Sequence, residues 1–154
     1  MDDGAAQFDN GMVHADLPRS LDDVRDAAWR RRLARAGDDW FIFRLDQLLT
    51  VAAGTALRTL FPYTSHNSLH FSRCSDCPFT HDCPWIWFSS DGRFITYPPH
   101  PTLVLQGNLA DPLPPPLLDT DDPRAAVDAA VNNLPATWRQ VWLGDVEAGP
   151  GRQR

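Results

Sequence analysis

The sequence predicts an α+β fold, a two-layer sandwich in which an antiparallel β-meander is packed by two main helices plus an N-terminal helix. Apolar residues recur at three- and four-residue spacing in two long segments, as on the buried side of a helix. After residue 66 they alternate with polar residues, as in half-buried strands. An Asp-Gly pair at positions 91–92 separates two apolar runs and is typical of a tight antiparallel hairpin.

The length and composition are those of one ordinary globular domain. The chain has 154 residues, of which 43% are hydrophobic and 22% are charged, enough to bury a single core. We expect a flexible N-terminus over residues 1–17, a single α+β domain over residues 18–146 and a flexible tail over residues 147–154.

The charge balance and the apolar runs exclude two classes of partner. The formal net charge of −6 argues against nucleic acid, because affinity for nucleic acid comes largely from cations that neutralise phosphates. No apolar run is long enough to cross a bilayer, and the acidic start lacks the pattern of a secretory signal. Three cysteines within ten residues fit a reducing compartment better than a disulfide framework. We therefore expect a cytoplasmic protein that binds neither nucleic acid nor membranes.

The N-terminal helix is predicted to begin after Ser20, which forms a capping box with Asp23, and to end before Gly37. Its arginines are Arg25, Arg30, Arg31, Arg32 and Arg35. These side chains form either an anion-binding face or a solvated face stabilised by ion pairs such as Asp26 with Arg30.

The two main helices are predicted in separate parts of the chain. Residues 40–43 are predicted as a short buried strand or a turn of helix, and the apolar spacing over residues 45–60 predicts a core-facing helix that ends at Pro62. The second main helix is predicted over residues 124–133, directly after Pro123.

The strands of the meander are predicted from short apolar or alternating runs around Leu69 and Phe71, then at residues 85–88, 93–97, 102–106 and, as a closing strand, 138–143. The proline-rich residues 111–123 predict an extended connecting loop. The aromatic residues of the central hairpin are Trp85, Trp87, Phe88, Phe94 and Tyr97. They form either part of the core beneath the helices or, on an uncovered sheet face, an aromatic ligand platform.

Residues 66–83 hold most of the side chains that carry chemistry. The pattern C-x2-C-x3-H-x-C at positions 74–83 supplies ligands of the kind that zinc takes in a tetrahedron. The predicted zinc ligands are Cys74, Cys77, His81 and Cys83, with His70 as a substitute for His81. The pattern is more compact than in most structural zinc sites, and the alternative is that the cysteines are small buried residues.

Catalysis has one candidate pair, with His66 as the base and Cys74 as the nucleophile. A thiol is activated by a neighbouring base, so the two side chains must come within hydrogen-bonding distance. A G-x-S-x-G motif, a phosphate-binding glycine loop and a dinucleotide motif are all absent from the sequence.

Residues 64–74 carry the pattern T-S-H-x-x-L-x-F-S-R-C. This pattern resembles a family of uncharacterised actinobacterial proteins that are labelled as natural-product biosynthesis proteins. The resemblance extends over residues 48–144 and leaves the arginine-rich helix outside. The label implies a biosynthetic context and no particular reaction.

The resemblance also bears on the candidate site. Cys77 and Cys83 depart from the family's pattern, which weakens the case for a metal site shared by the family. The candidate binding residues are therefore Ser65, His66 and Arg73, at a predicted helix-to-strand junction. Their alternative role is to form hydrogen bonds with the backbone of that junction.

These observations favour a noncatalytic accessory or binding protein associated with actinobacterial natural-product biosynthesis, with a protein or peptide as its partner. The alternatives are a small enzyme that uses His66 and Cys74, and a protein with a structural Cys3His zinc site.

Overall fold

Three α-helices and a five-stranded sheet make up the described part of the chain, which in this computed structural model is residues 20–34, 39–99 and 113–151. The helices are α1 (Leu21–Leu33), α2 (Trp40–Ala52) and α3 (Pro123–Val131), and a 3₁₀-helix covers Ala56–Thr59. The strands are β1 (Phe61–Ser65), β2 (Ser68–Ser72), β3 (Trp85–Phe88), β4 (Phe94–Tyr97) and β5 (Leu118–Thr120). They lie in chain order and each is antiparallel to its neighbour, so the sheet is a meander.

Each helix begins at a residue whose side-chain oxygen accepts a hydrogen bond from a backbone N–H of the first turn. Ser20 accepts from Asp23 at 3.1 Å, Asp39 accepts from Phe41 at 3.1 Å and Asp122 accepts from Arg124 at 2.9 Å. Such caps satisfy donors that have no partner within the helix. The predicted starts of α1 and α3 are therefore confirmed.

Strand alternation divides the sheet into a face that packs on the helices and an opposite face. The helix-packed side chains are Leu69, Phe71, Ile86, Phe88, Phe94 and Thr96, all 2% exposed or less. The Thr96 hydroxyl donates to the carbonyl of Ala126 at 2.8 Å, which ties β4 to α3. Residues of all three helices join the same core cluster, and the predicted α+β class is confirmed.

Trp29 joins α1 to the core. Its side chain is 1% exposed, its ring stacks on Phe71 with the centroids 6.3 Å apart, and its Nε1 donates to the carbonyl of Leu60 at 2.9 Å. The guanidinium of Arg58 lies over the same ring. The arginine-rich helix is therefore an integral part of the helical layer.

The structure corrects the predicted end of the first main helix. Residues 40–43 begin α2, but the helix ends at Ala52, and Pro62 lies within β1. Proline is tolerated there because β1 is an edge strand, where a backbone N–H on the outer side has no ladder partner to lose.

Two further predictions of secondary structure are corrected, and two fall on residues that are not described. The proline-rich segment contains the short edge strand β5. Residues 138–143 form the end of a turn and irregular backbone rather than a strand, with a single bridge between Trp142 and Cys74. The predicted strand at 102–106 and the N-terminal residues 1–17 lie outside the described ranges. No helix in the described ranges is long and apolar enough to span a membrane.

The hairpin predicted at Asp91 and Gly92 connects β3 and β4. Gly92 has φ of 91°, and a Cβ at this position would lie 3.0 Å from Nη2 of Arg44. The positive φ explains why this turn favours glycine, because residues with a side chain rarely adopt that backbone conformation. Nη2 of Arg44, in contrast, is the end of a flexible side chain that can move aside.

Truncation of Trp29 is expected to cost more stability than any exposed change on α1. Trp29→Ala removes a buried indole and lowers the free energy of unfolding by about 4 kcal/mol, and Trp29→Phe, which loses the bond to Leu60, lowers it by about 2 kcal/mol. Leu33→Ala, at a side chain 38% exposed, serves as the control and costs less than about 1 kcal/mol. Urea denaturation measures all three, and equal losses for Trp29→Ala and Leu33→Ala would contradict the role of Trp29.

Candidate functional site

Five stacked rings form a line on the sheet face opposite the helices. Tyr63, His70, Trp85 and Tyr97 come from four successive strands, and Phe79 comes from the loop between β2 and β3. The ring centroids are 4.3 Å apart for Phe79–Tyr63, 5.0 Å for Tyr63–His70, 5.2 Å for His70–Trp85 and 4.5 Å for Trp85–Tyr97. Neighbouring ring planes differ by 20° or less. We call these five residues the aromatic row.

The row follows from strand register. Tyr63 lies directly opposite His70, and Trp85 lies directly opposite Tyr97. In the antiparallel pairing of β2 with β3, Leu69 lies opposite Ile86. His70 follows Leu69 and Trp85 precedes Ile86, so these two rings are also neighbours and continue the same line. Cross-strand neighbours on one face are close enough for their rings to stack.

Burial is uneven along the aromatic row. Tyr63 and His70 are 6% and 8% exposed, whereas Trp85 and Tyr97 are only half-buried. Trp87 and Ile95 lie on the same face and are also half-buried. Among the described residues no helix covers this part of the face. We call these four half-buried side chains the open face.

The hairpin aromatics divide between the two faces of the sheet. Phe88 and Phe94 belong to the core. Trp85, Trp87 and Tyr97 lie on the open face, outside the core, and their role as a ligand platform stays a prediction.

His70 is held between Tyr63 and Trp85 as a neutral imidazole. Its Nε2 lies 2.7 Å from Oγ of Ser68, and this hydroxyl donates to the carbonyl of Ser65. Because the Ser68 hydroxyl proton is used in that bond, the imidazole Nε2–H donates to the Ser68 oxygen. Burial, with a smaller contribution from His81, lowers the pKa of His70 from 6.5 to about 4. The side chain is therefore suited to packing and poorly placed for proton transfer.

The hydroxyl of Tyr63 lies 3.1 Å from Nδ1 of His81. Burial raises the pKa of Tyr63, so the phenol stays protonated and donates this hydrogen bond. Burial also lowers the pKa of His81. This imidazole therefore helps to fix the loop above the aromatic row.

The cysteines occupy three different environments. Sγ of Cys74 is buried, 3.3 Å from Oγ of Ser72 and within 3.6 Å of the carbonyl oxygens of Asp76 and Pro78. Cys83 packs in the core, where burial raises its pKa to about 12, and burial also raises the pKa of Cys74. Cys77 is exposed.

The four predicted zinc ligands are not gathered around one point. Within the described ranges, no group of three or more His, Cys, Asp and Glu side chains is placed to hold a metal ion. Cys83 faces the core, Cys77 faces solvent and His81 bonds to Tyr63, which explains why the spacing does not produce a tetrahedron. The substitute ligand His70 is committed to Ser68.

The proposed His66–Cys74 catalytic pair is not formed. His66 is exposed in the turn before β2 and has φ of 50°, whereas Cys74 follows the other end of β2. At about 3.3 Å per residue of extended chain, the two residues lie on the order of 20 Å apart. A base must lie within about 3 Å of the nucleophile that it activates.

The three predicted binding residues also fail to form one site. Arg73 pairs with Asp82 through Nε and Nη2 at 2.8 and 2.7 Å, donates to the carbonyl of Gln140 and covers the ring of Trp142. At the opposite end of β2, the backbone carbonyl of Ser65 accepts a bond from the Ser68 hydroxyl, and the Ser65 hydroxyl lies 3.4 Å from Nδ1 of His66. For Arg73, these contacts support the alternative role of hydrogen bonding to the local backbone and loops.

Sequence reasoning missed a groove beside α1. It has a volume of about 340 Å³, and its lining includes Arg31, Arg32, Phe61, Tyr63, Ser75 and Phe79. The arginines were predicted as a candidate anion-binding face, but no pattern in the sequence indicated that Phe79 would fold back beside them. The groove lies where the aromatic row begins, at Tyr63 and Phe79.

One comparison with known proteins gives a match. A model described as a family of unknown function, DUF6193, matches residues 23–145. The chain belongs to this family. The resemblance was expected to cover residues 48–144 and to leave out the arginine-rich helix. The DUF6193 match begins within α1 and therefore includes most of that helix. No curated protein and no solved structure gives a significant match. The DUF6193 description states no pathway, and the biosynthetic context stays a prediction.

The stability of this DUF6193 protein is expected to depend on pH through His70. As the pH falls, the unfolded chain takes up the proton near pH 6.5, whereas the folded chain takes it up near pH 4. The contribution of neutral His70 to the free energy of unfolding is therefore fully present above pH 6.5. It is lost as the pH falls from 6.5 to 4, by up to about 3 kcal/mol. Denaturation across this range should show a shallower pH dependence in His70→Phe, which keeps a stacked ring. His66→Ala is the control, and an unchanged pH dependence in His70→Phe would contradict the assignment.

The thiols are expected to separate into one fast and two slow groups. A disulfide reagent such as Ellman's reagent should react at once with Cys77 and reach Cys74 and Cys83 only in denaturant, because those two are buried. Cys77→Ser should abolish the fast phase. Three protected thiols that a chelator releases would contradict this prediction and restore the zinc hypothesis.

Proposed function

We propose that the protein is a noncatalytic binding protein that holds a protein partner on the open face of its sheet. The observation that carries the proposal is the partial exposure of Trp85, Trp87 and Tyr97 on a face that no described helix covers. Partly exposed tryptophan and tyrosine are the side chains most often responsible for binding energy at protein interfaces.

The stacking of these rings supports the proposal. Trp85 is held between His70 and Tyr97 with centroid distances of 5.2 and 4.5 Å. A ring that is already immobilised loses little conformational freedom when a partner covers it, so more of the contact energy remains for binding. The hydroxyl and indole N–H groups also provide hydrogen bonds at the edge of an apolar contact.

Charge indicates the chemistry of the partner. Because the chain carries a formal net charge of −6, a partner with an apolar centre and a basic rim would be attracted to it. The resemblance at residues 64–74 implies that this partner is a protein of natural-product biosynthesis.

The state of the nucleophiles favours binding over catalysis. Burial raises the pKa of both Cys74 and Cys83, which disfavours the reactive thiolate. His70 is enclosed by rings, and His66 lies at the other end of β2 from Cys74. The proposal therefore rests on the half-buried aromatic rings of the open face and not on a nucleophile.

The test uses two open-face variants, Trp87→Ser and Tyr97→Ser. Immobilised full-length protein captures candidates from the natural host, and each candidate is then purified and its affinity measured by calorimetry. The true partner should bind at least about tenfold more weakly to both variants.

The matched control is Phe43→Ser, which removes an aromatic side chain that is 56% exposed on α2. It should change the affinity less than about twofold. A purified partner that binds the open-face variants as tightly as the original protein would contradict the proposed surface. Loss of pathway output in a folded His66→Ala variant would contradict the noncatalytic role.

A further inference from the structure

The groove beside α1 combines positive charge with an aromatic wall. Arg31 and Arg32 come from the last turn of α1, and Phe79 comes from the loop that follows β2. The volume of about 340 Å³ lies at the small end of the range typical of sites for small molecules. It suits an organic molecule of one or two rings.

The two arginines differ in their surroundings. Nη1 of Arg32 lies 3.3 Å from Oγ1 of Thr64 and donates to it, which holds the guanidinium beside β1. Arg31 is exposed and has no hydrogen-bond or ion-pair partner among the described residues. Guanidinium groups bind carboxylates through charge-assisted and often paired hydrogen bonds.

The opposite wall is flat and well fixed. Tyr63 and Phe79 stack with their centroids 4.3 Å apart and their planes 19° apart, and the Tyr63 hydroxyl is bonded to His81. Ser75 lines the groove between the loop and α1. Its Oγ accepts from the N–H of Gly144 at 2.9 Å, which leaves the hydroxyl proton to donate to a ligand.

We infer that this groove binds a small aromatic carboxylate, with the ring against Phe79 and the carboxylate at Arg31 and Arg32. Both features are needed, since the arginines select for negative charge and the rings select for a planar apolar body. The inference concerns a small molecule at the edge of the sheet, and it does not depend on a protein partner at the open face.

The test is calorimetric titration of the full-length protein with 1-naphthoate and with the uncharged 1-naphthalenemethanol. Naphthoate should bind, and the alcohol should bind at least about tenfold more weakly because it lacks the charge that the arginines pair with. Arg31→Gln should weaken naphthoate binding about tenfold. Equal binding of acid and alcohol would overturn the inference.

The matched control for charge is Arg30→Gln, which removes the same charge from an exposed neighbouring position that does not line the groove. It should alter naphthoate affinity less than about twofold. Equal weakening by Arg30→Gln and Arg31→Gln would show a diffuse charge effect and overturn the inference.

The aromatic wall is tested with Phe79→Leu, which keeps an apolar side chain and all of the arginines. Naphthoate should bind several-fold more weakly while the thermal midpoint and circular dichroism show an intact fold. Unchanged naphthoate affinity in this variant, or inorganic phosphate binding as tightly as naphthoate, would overturn the assignment to an aromatic ligand.

Discussion

Alternation of side chains along pleated strands controls the arrangement of this protein. In β3, Ile86 and Phe88 point toward the helices while Trp85 and Trp87 point away, and β4 divides its residues in the same manner. The helix-packed face and the helices together form the hydrophobic core, and burial of such surface is the main source of folding stability. The aromatic row exists because the same strands must also place side chains on the other face.

The loop between β2 and β3 uses most of its reactive side chains to hold itself in place. Arg73 pairs with Asp82, the hydroxyl of Thr80 accepts from the backbone N–H of Arg73, and Cys74 lies against nearby carbonyls. Satisfying these groups internally avoids the cost of burying them unpaired. These bonds position the loop so that Phe79 stacks in the aromatic row and lines the groove beside α1.

The two candidate surfaces share a pair of rings but differ in electrostatics. Tyr63 and Phe79 begin the aromatic row and also line the groove. The groove adds Arg31 and Arg32, whereas the open face adds Trp87 and Ile95. A positively charged cleft selects a ligand by its charge, and a broad apolar face selects a partner by shape and buried area.

Much of the fold was predictable from local patterns, but the residues of the candidate site were only partly predictable. The cap at Ser20, the helix after Pro123 and the hairpin at Gly92 act over a few residues, so the sequence alone determines them. The strand at Pro62 was not predictable, because a proline after an apolar helical pattern indicates the end of a helix. Proline is tolerated in β1 only because β1 lies at the edge of the sheet.

By itself, the sequence determined the α+β class, the starts of α1 and α3 and the position of the hairpin turn at Gly92. Tertiary structure decided which cysteines are buried, that the His66–Cys74 pair does not form, and that Phe79 stacks on Tyr63. The reason is physical. Periodicity and capping depend on neighbours within one or two turns, whereas these outcomes depend on strand register and on contacts such as Ser75 with Gly144, which are distant along the chain.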